Sequence, residues 1–148
     1  MAFLDHIKTE AAVVFIVGDM FDFWYEYKTV VPKGYTRLLG KIAELTDAGI
    51  EIHFFKGNHD MWVFDYFEKE LGVKIYREPI HKTYNGKKFL IGHGDGLGPG
   101  DRGYKFIKKV FAAKWSQWMF ARLHPNFGIA LANYFSRKSR IATGDSDS

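Results

Sequence analysis

The chain has 148 residues, 47% of them hydrophobic and 18% aromatic, with a formal net charge of +4 and no cysteine. That length and apolar content predict one globular unit with a real core rather than two. The missing thiols exclude a disulfide framework and zinc–thiolate sites and suit a reducing cytoplasm.

In chain order, "AAVVFIV" (Ala11 to Val17) comes first. It is short, follows an acidic flank and has no small-residue cleavage site after it, so neither a signal peptide nor a transmembrane helix is expected. A continuous apolar run ending in Gly18 and Asp19 predicts a fully buried strand. Leu38, Leu39, Ile42 and Leu45 then follow helical spacing, closed by Gly49 as a stop. Ile50 to Phe55 reads as the next strand. Strand, helix, strand is the unit of a parallel sheet with a right-handed crossover, which predicts an α/β layered architecture.

"MWVFDYFEKELG" predicts a second helix, with Asp60 as its N-cap. "HKTYNGKKFLI" predicts a hairpin turning at Asn85 and Gly86. After the glycine-rich "GDGLGPGD" loop, Arg102 to Arg140 predicts two or three helices broken near Pro125 and Gly128, followed by a polar tail over 141–148. The charge is unevenly spread. Residues 1–101 carry 12 Lys/Arg against 15 Asp/Glu, whereas residues 102–140 carry nine Lys/Arg and no acid.

Three strands end in glycine plus ligand-type residues: "GDMFD", "GNHD" and "GHGD". Ligands gather at the carboxyl ends of strands in open α/β sheets, and glycine lets the backbone turn sharply there. Asp, Asn and His together suit manganese, iron or zinc more than calcium. Two such ions can hold and activate a phosphoryl group, so the pattern points to a phosphoesterase. Each block alone also reads as an ordinary turn or helix cap. Their combination, in order and at three strand ends, carries the metal-site reading.

Gly18-Asp19-x-x-Asp22, Gly57-Asn58-His59-Asp60 and Gly92-His93-Gly94-Asp95 resemble the motif blocks of the calcineurin-like metallophosphoesterases. Within that superfamily, "GDMFDFW", "HGDGLGPGDRGYKF" and the aromatic helices after them are similar to the UDP-2,3-diacylglucosamine hydrolases, the pyrophosphatases of lipid A synthesis, in particular Bacteroidetes-type members. The resemblance implies a partial α-β-β-α metallophosphoesterase fold over residues 1–100, with an inserted helical lid over about 101–140. It also implies hydrolysis of the UDP-linked diacyl sugar to UMP and 2,3-diacylglucosamine 1-phosphate with two divalent metal ions, manganese by preference.

Carried over by residue, Asp19 would bridge the two metals, while Asn58 and His93 would share one ion. Asn58 and His59 would touch phosphate, and Asp101 would contact the glucosamine. His59 matches a catalytic imidazole, although many of these hydrolases carry arginine there. Asp60 would orient His59 or cap the helix, and Asp22, Asp60 and Asp95 would stand behind the ligands. Two of the superfamily's blocks have no counterpart: no Asp-x-His precedes Asp19, since Asp5 and His6 are adjacent, and no Gly-His-x-His follows His93. The chain therefore reads as an internal fragment with little or no turnover of its own; the alternatives are another metallophosphoesterase, acting on a nucleotide or protein, or a non-catalytic membrane-binding remnant.

Nine aromatics between Tyr104 and Phe135 interleave with Lys105, Lys108, Lys109, Lys114 and Arg122. Trp115, Trp118 and Arg122 share a helical face. Such a segment suits a nucleotide-lipid substrate and the inner membrane surface, hence a cytoplasmic, peripheral protein. Packing on the main domain and single-strand binding are the competing readings, and with no nucleic-acid motif present no nucleic-acid partner is expected. His53 reads as a core residue, and Trp24 and Tyr25 either line the substrate groove or pack locally.

Overall fold

A computed structural model describes residues 2–94 and 102–142. Helix α1 (Ala2–Ile7) leads into strand β1 (Val13–Ile16), helix α2 (Thr36–Asp47) and strand β2 (Glu51–Phe55). Helix α3 (Tyr66–Leu71) and strands β3 (Lys74–Tyr76), β4 (Ile80–Tyr84) and β5 (Lys87–Ile91) follow. The chain then continues in helices α4 (Arg102–Ala112), α5 (Lys114–Phe120) and α6 (Pro125–Ala142). Among the described residues no helix is long and apolar enough to cross a membrane.

Strands β1, β2 and β3 form a parallel sheet in that order, with Val14 opposite Ile52 and Phe54 opposite Ile75. The expected β1–α2–β2 crossover is therefore present. Strand alternation divides the residues between two faces. Ile52 and Phe54 point to one side and pack with Leu39, Ile42 and Leu45 of α2 and Phe67 and Leu71 of α3. His53 and Phe55 point to the other, where Phe15 stacks on His53 at 4.8 Å and Phe55 on Tyr76 at 5.1 Å. Tyr84 of the hairpin meets Phe15 edge-on at 6.2 Å, so the antiparallel pair β4–β5 lies on the second face. Its turn has Asn85 and Gly86 both at positive φ, as a two-residue hairpin loop requires.

Four expectations need correction. Strand β1 is half-buried rather than fully buried, because among the described residues it stands at the edge of its sheet, paired with β2 alone. Gly128 does not break a helix: it lies inside α6, where an added Cβ would sit 2.6 Å from Tyr27 Oη and 3.1 Å from Phe120, so its small size permits close packing. Pro125 instead opens α6, as a residue lacking an N–H can at a first helical position, and His124 Nδ1 accepts from Asn126 N at 3.3 Å. That helix also runs past residue 140, to Ala142.

The fourth correction concerns Asp60, which does not cap a helix. Residues 61–65 are not helical, and α3 starts only at Tyr66. The carboxylate serving that helix start belongs to Glu26, whose Oε2 accepts from Phe64 N at 2.8 Å, Asp65 N at 2.9 Å and Tyr66 N at 3.2 Å. Its Oε1 accepts from Trp24 Nε1 at 3.2 Å. Trp24 itself is fully buried among Phe21, Tyr66 and Phe67.

Glu26→Ala leaves these donors unpaired in a buried place and should destabilise the fold by about 3 kcal/mol, with Glu26→Gln costing about 1 kcal/mol. Urea unfolding of the two variants checks the difference. His53 gives a pH signature. Burial holds its imidazole below the ordinary value, against the opposing pull of Glu51. The unfolded chain therefore binds more protons, so the stabilisation is fully present above an ordinary imidazole pKa of about 6.5 and is lost as the pH falls below it. The thermal midpoint should drop between about pH 7 and about pH 5, and His53→Phe, which keeps a ring against Phe15, should flatten that drop in a melt series.

Candidate metal centre and apolar cavity

The loop after β1 and the loop after β2 are joined by a reciprocal exchange of carboxylates. Asp19 Oδ1 accepts from His59 N at 3.0 Å, and Asp60 Oδ2 accepts from Met20 N at 2.9 Å. Asp60 Oδ1 also accepts from Gly57 N at 2.6 Å. Asp60 is fully buried, and burial pushes its carboxyl above the usual range while these backbone donors pull it back. Asp60 thus orders the backbones of both loops through Met20 N and Gly57 N.

The two loops could not approach so closely with larger residues. A Cβ on Gly18 would stand 2.9 Å from Gly57 Cα and 2.5 Å from His93 Nδ1. A Cβ on Gly57 would stand 2.5 Å from Asp19 N and press on its carboxylate. Gly18 and Asp19 both have positive φ, at 87° and 51°. Aspartate tolerates that left-handed region better than most residues, and a non-glycine residue held there is a frequent mark of a functional turn.

His93, from the loop after β5, completes the convergence. Its Nε2 lies 3.3 Å from Asp19 Oδ2, and its Nδ1 lies 2.7 Å from the Val17 carbonyl. A carbonyl only accepts, so Nδ1 carries the proton and donates. Nε2 then faces the Asp19 carboxylate, donating to it in the imidazolium form and offering a lone pair in the neutral form, where a cation between the two atoms offsets their repulsion. The 3.3 Å separation is about what two ligands of one divalent ion require. The donors therefore fit a metal ion. Asn58 stands in the chain between Gly57 and His59, the two residues that touch the first loop, and lines the apolar cavity beside them. Among the described residues no group of three His, Cys, Asp or Glu gathers, so the two acidic or imidazole ligands here would need Asn58 and further donors.

His59 is set by partners that local sequence does not reveal. Its Nδ1 lies 2.9 Å from the backbone carbonyl of Asp22 and 3.0 Å from Ser136 Oγ, and that hydroxyl lies 3.0 Å from the same carbonyl. Nδ1 thus donates, and Nε2 is left for other chemistry. Asp22 contributes its main-chain carbonyl to this cluster. Ser136 arrives on α6, with no motif around it to mark it out. Asp95 and Asp101 lie outside the described residues.

Beside Asn58 and His59 opens an apolar cavity of about 320 Å³. Phe23, Trp24, Met61 and Trp62 supply its floor, and Phe111, Phe120, Leu131 and Phe135 of α4–α6 close over it. Polar contacts fasten each of these helices to the two loops: Trp62 Nε1 donates to Phe111 O at 2.8 Å, Tyr25 Oη to Gln117 O at 2.8 Å, and Ser136 Oγ to Asp22 O at 3.0 Å, with His59 Nδ1 also 3.0 Å from that hydroxyl. Trp24 both packs in the core and lines the cavity, whereas Tyr25 is buried against Phe120. On the outside, Trp115 and Trp118 are 58% and 56% exposed, with the Arg122 guanidinium 3.4 Å from the Trp118 ring.

Residues 1–134 match the calcineurin-like phosphoesterase family. The chain is 44% identical over 140 residues to the UDP-2,3-diacylglucosamine hydrolase of Porphyromonas gingivalis, covering 94% of this chain and 53% of that protein. It is 32% identical over 143 residues to the protein of the same name from Histophilus somni, covering 93% and 58%, and 29% identical over 130 residues to that of Aeromonas salmonicida, covering 88% and 51%. The chain thus spans about half the length of the curated relatives it matches.

Gly57→Ala should displace the Asp19 carboxylate and lower affinity for a divalent ion by roughly 10- to 100-fold. Metal titration with circular dichroism on the same samples checks that the secondary structure is retained.

Proposed function

The chain belongs to the calcineurin-like phosphoesterase family, and on that premise we propose that it forms part of a metal-dependent hydrolase of UDP-2,3-diacylglucosamine, cleaving its pyrophosphate to UMP and 2,3-diacylglucosamine 1-phosphate. The observation that carries this reading is the junction of a metal-type donor set with an apolar cavity, Asp19 and His93 on one side of the Asn58–His59 loop and Trp62, Phe111 and Phe135 on the other. A substrate that is phosphate-rich at its middle and doubly acylated at one end needs both.

In this reading Asp19, Asn58 and His93 hold the metal. Two divalent ions, manganese by preference, would supply Lewis-acid charge against the phosphoryl oxygens. His59 faces the phosphate; with Nδ1–H committed to Asp22, its Nε2 donates only as an imidazolium, so it serves as a cation or a proton donor when protonated. The cavity takes the acyl chains out of water, and α4–α6 form a lid over them. Exposed Trp115 and Trp118 beside Arg122 support seating on the inner membrane surface, because tryptophan rings sit at the boundary and the guanidinium meets anionic headgroups. Asp101 remains the proposed contact to the glucosamine.

The chain should bind manganese weakly, with Asp19→Asn or His93→Ala weakening it by a further tenfold or about 1.4 kcal/mol, and chain 1–148 alone should hydrolyse the UDP-lipid slowly or not at all. Electron paramagnetic resonance of free manganese and a substrate panel check both points. Turnover that prefers a phosphomonoester over the UDP-lipid would reassign the substrate class, and no manganese binding would leave the non-catalytic membrane remnant.

A further inference from the structure

The apolar cavity adjoins the candidate centre on its Asn58–His59 flank. A second cavity, of about 70 Å³, adjoins it on the His93 flank and has a different character: its lining includes Lys56, Arg77, His93 and Lys108, with Glu78 as the one carboxylate among the described residues. The fold makes this grouping. Lys56 N donates to Tyr76 O at 2.9 Å, so Lys56 and Arg77 leave the carboxyl ends of neighbouring parallel strands β2 and β3 side by side. Gly92 packs against Pro79, where an added Cβ would stand 2.9 Å from the proline ring, and this holds His93 beside the Arg77–Glu78 segment. Lys108 comes from α4, so three separate elements bring cations to one small space. The Lys56 ammonium donates to the Val63 carbonyl and contributes its field, while Arg77 is exposed.

We propose that this cavity seats the phosphate on the nucleotide side of the substrate, so that a bound molecule crosses the Asp19–His93 pair with its acyl half in the apolar cavity and its nucleoside phosphate against Arg77 and Lys108. The proposal rests on the nucleotide-lipid reading above. The volume suits one phosphate group rather than a sugar or a base, so recognition acts on charge, and the base contributes little here. Guanidinium and ammonium groups suit such a subsite, because arginine takes phosphate oxygens in pairs and lysine acts as a point charge.

Calorimetric titration with UMP, inorganic phosphate and uridine tests it, using the wild-type chain, Arg77→Gln, Lys108→Gln and the double variant, each checked by circular dichroism. UMP and inorganic phosphate should bind and uridine should not, and the double variant should lose about tenfold or more in UMP affinity. Binding of a fluorescent fatty-acid probe and of manganese should stay unchanged. UMP affinity unaltered in the double variant, or uridine binding as well as UMP, overturns the proposal; so does wild type that ignores UMP at millimolar concentration. If manganese and the acyl probe still bind in those cases, only the phosphate subsite falls, whereas loss of manganese binding in the wild type brings down the phosphoesterase reading separately.

Discussion

Everything at the candidate centre depends on the paired carboxylates of Asp19 and Asp60, each of which accepts a backbone N–H from the other's loop. Neither loop has regular secondary structure to hold it. Buried backbone donors need partners, and Asp60, fully excluded from water, satisfies two of them at the cost of its own desolvation. The carboxylate of Asp19 is fixed in turn by His59 N and stands opposite the His93 imidazole. One aspartate is thus given over to architecture so that the other can be presented in a set position.

The same two loops continue into the residues that support α4–α6. After Asp22 come Phe23, Trp24, Tyr25 and Glu26; after Asp60 come Met61 and Trp62. Tyr25 and Trp62 pair as an isolated parallel bridge, with Glu26 N donating to Trp62 O at 3.3 Å. This short ribbon buries aromatic rings below, caps α3 through Glu26, and anchors the helices above through Tyr25 and Trp62. The polar centre and the apolar cavity are therefore neighbours in space because they are neighbours in sequence.

Much of this is legible in the residues themselves. Continuous apolar runs ending in glycine locate β1 and β2, periodicity locates α2, and Asn85-Gly86 locates the hairpin, because each signal is local and strong. The glycine-led motifs locate Asp19 and His93, which the structure brings to 3.3 Å. The features that sequence does not disclose are long-range. Strand β3 has only three residues and no periodicity to read. An aspartate before an apolar stretch looks like a cap, which starts the helix after Asp60 too early, while the true acceptor, Glu26, lies far upstream. Ser136 cannot be singled out at all, since a serine within an amphipathic helix says nothing of which imidazole it will meet.

That serine has a mechanical implication. Its hydroxyl touches both the Asp22 carbonyl and His59 Nδ1, while Leu131, Ala132 and Phe135 on the same helix form a wall of the apolar cavity. The wall of the oily compartment and the grip on the ring beside it are therefore carried by one helical rod, so a displacement of α6 at either place is felt at the other.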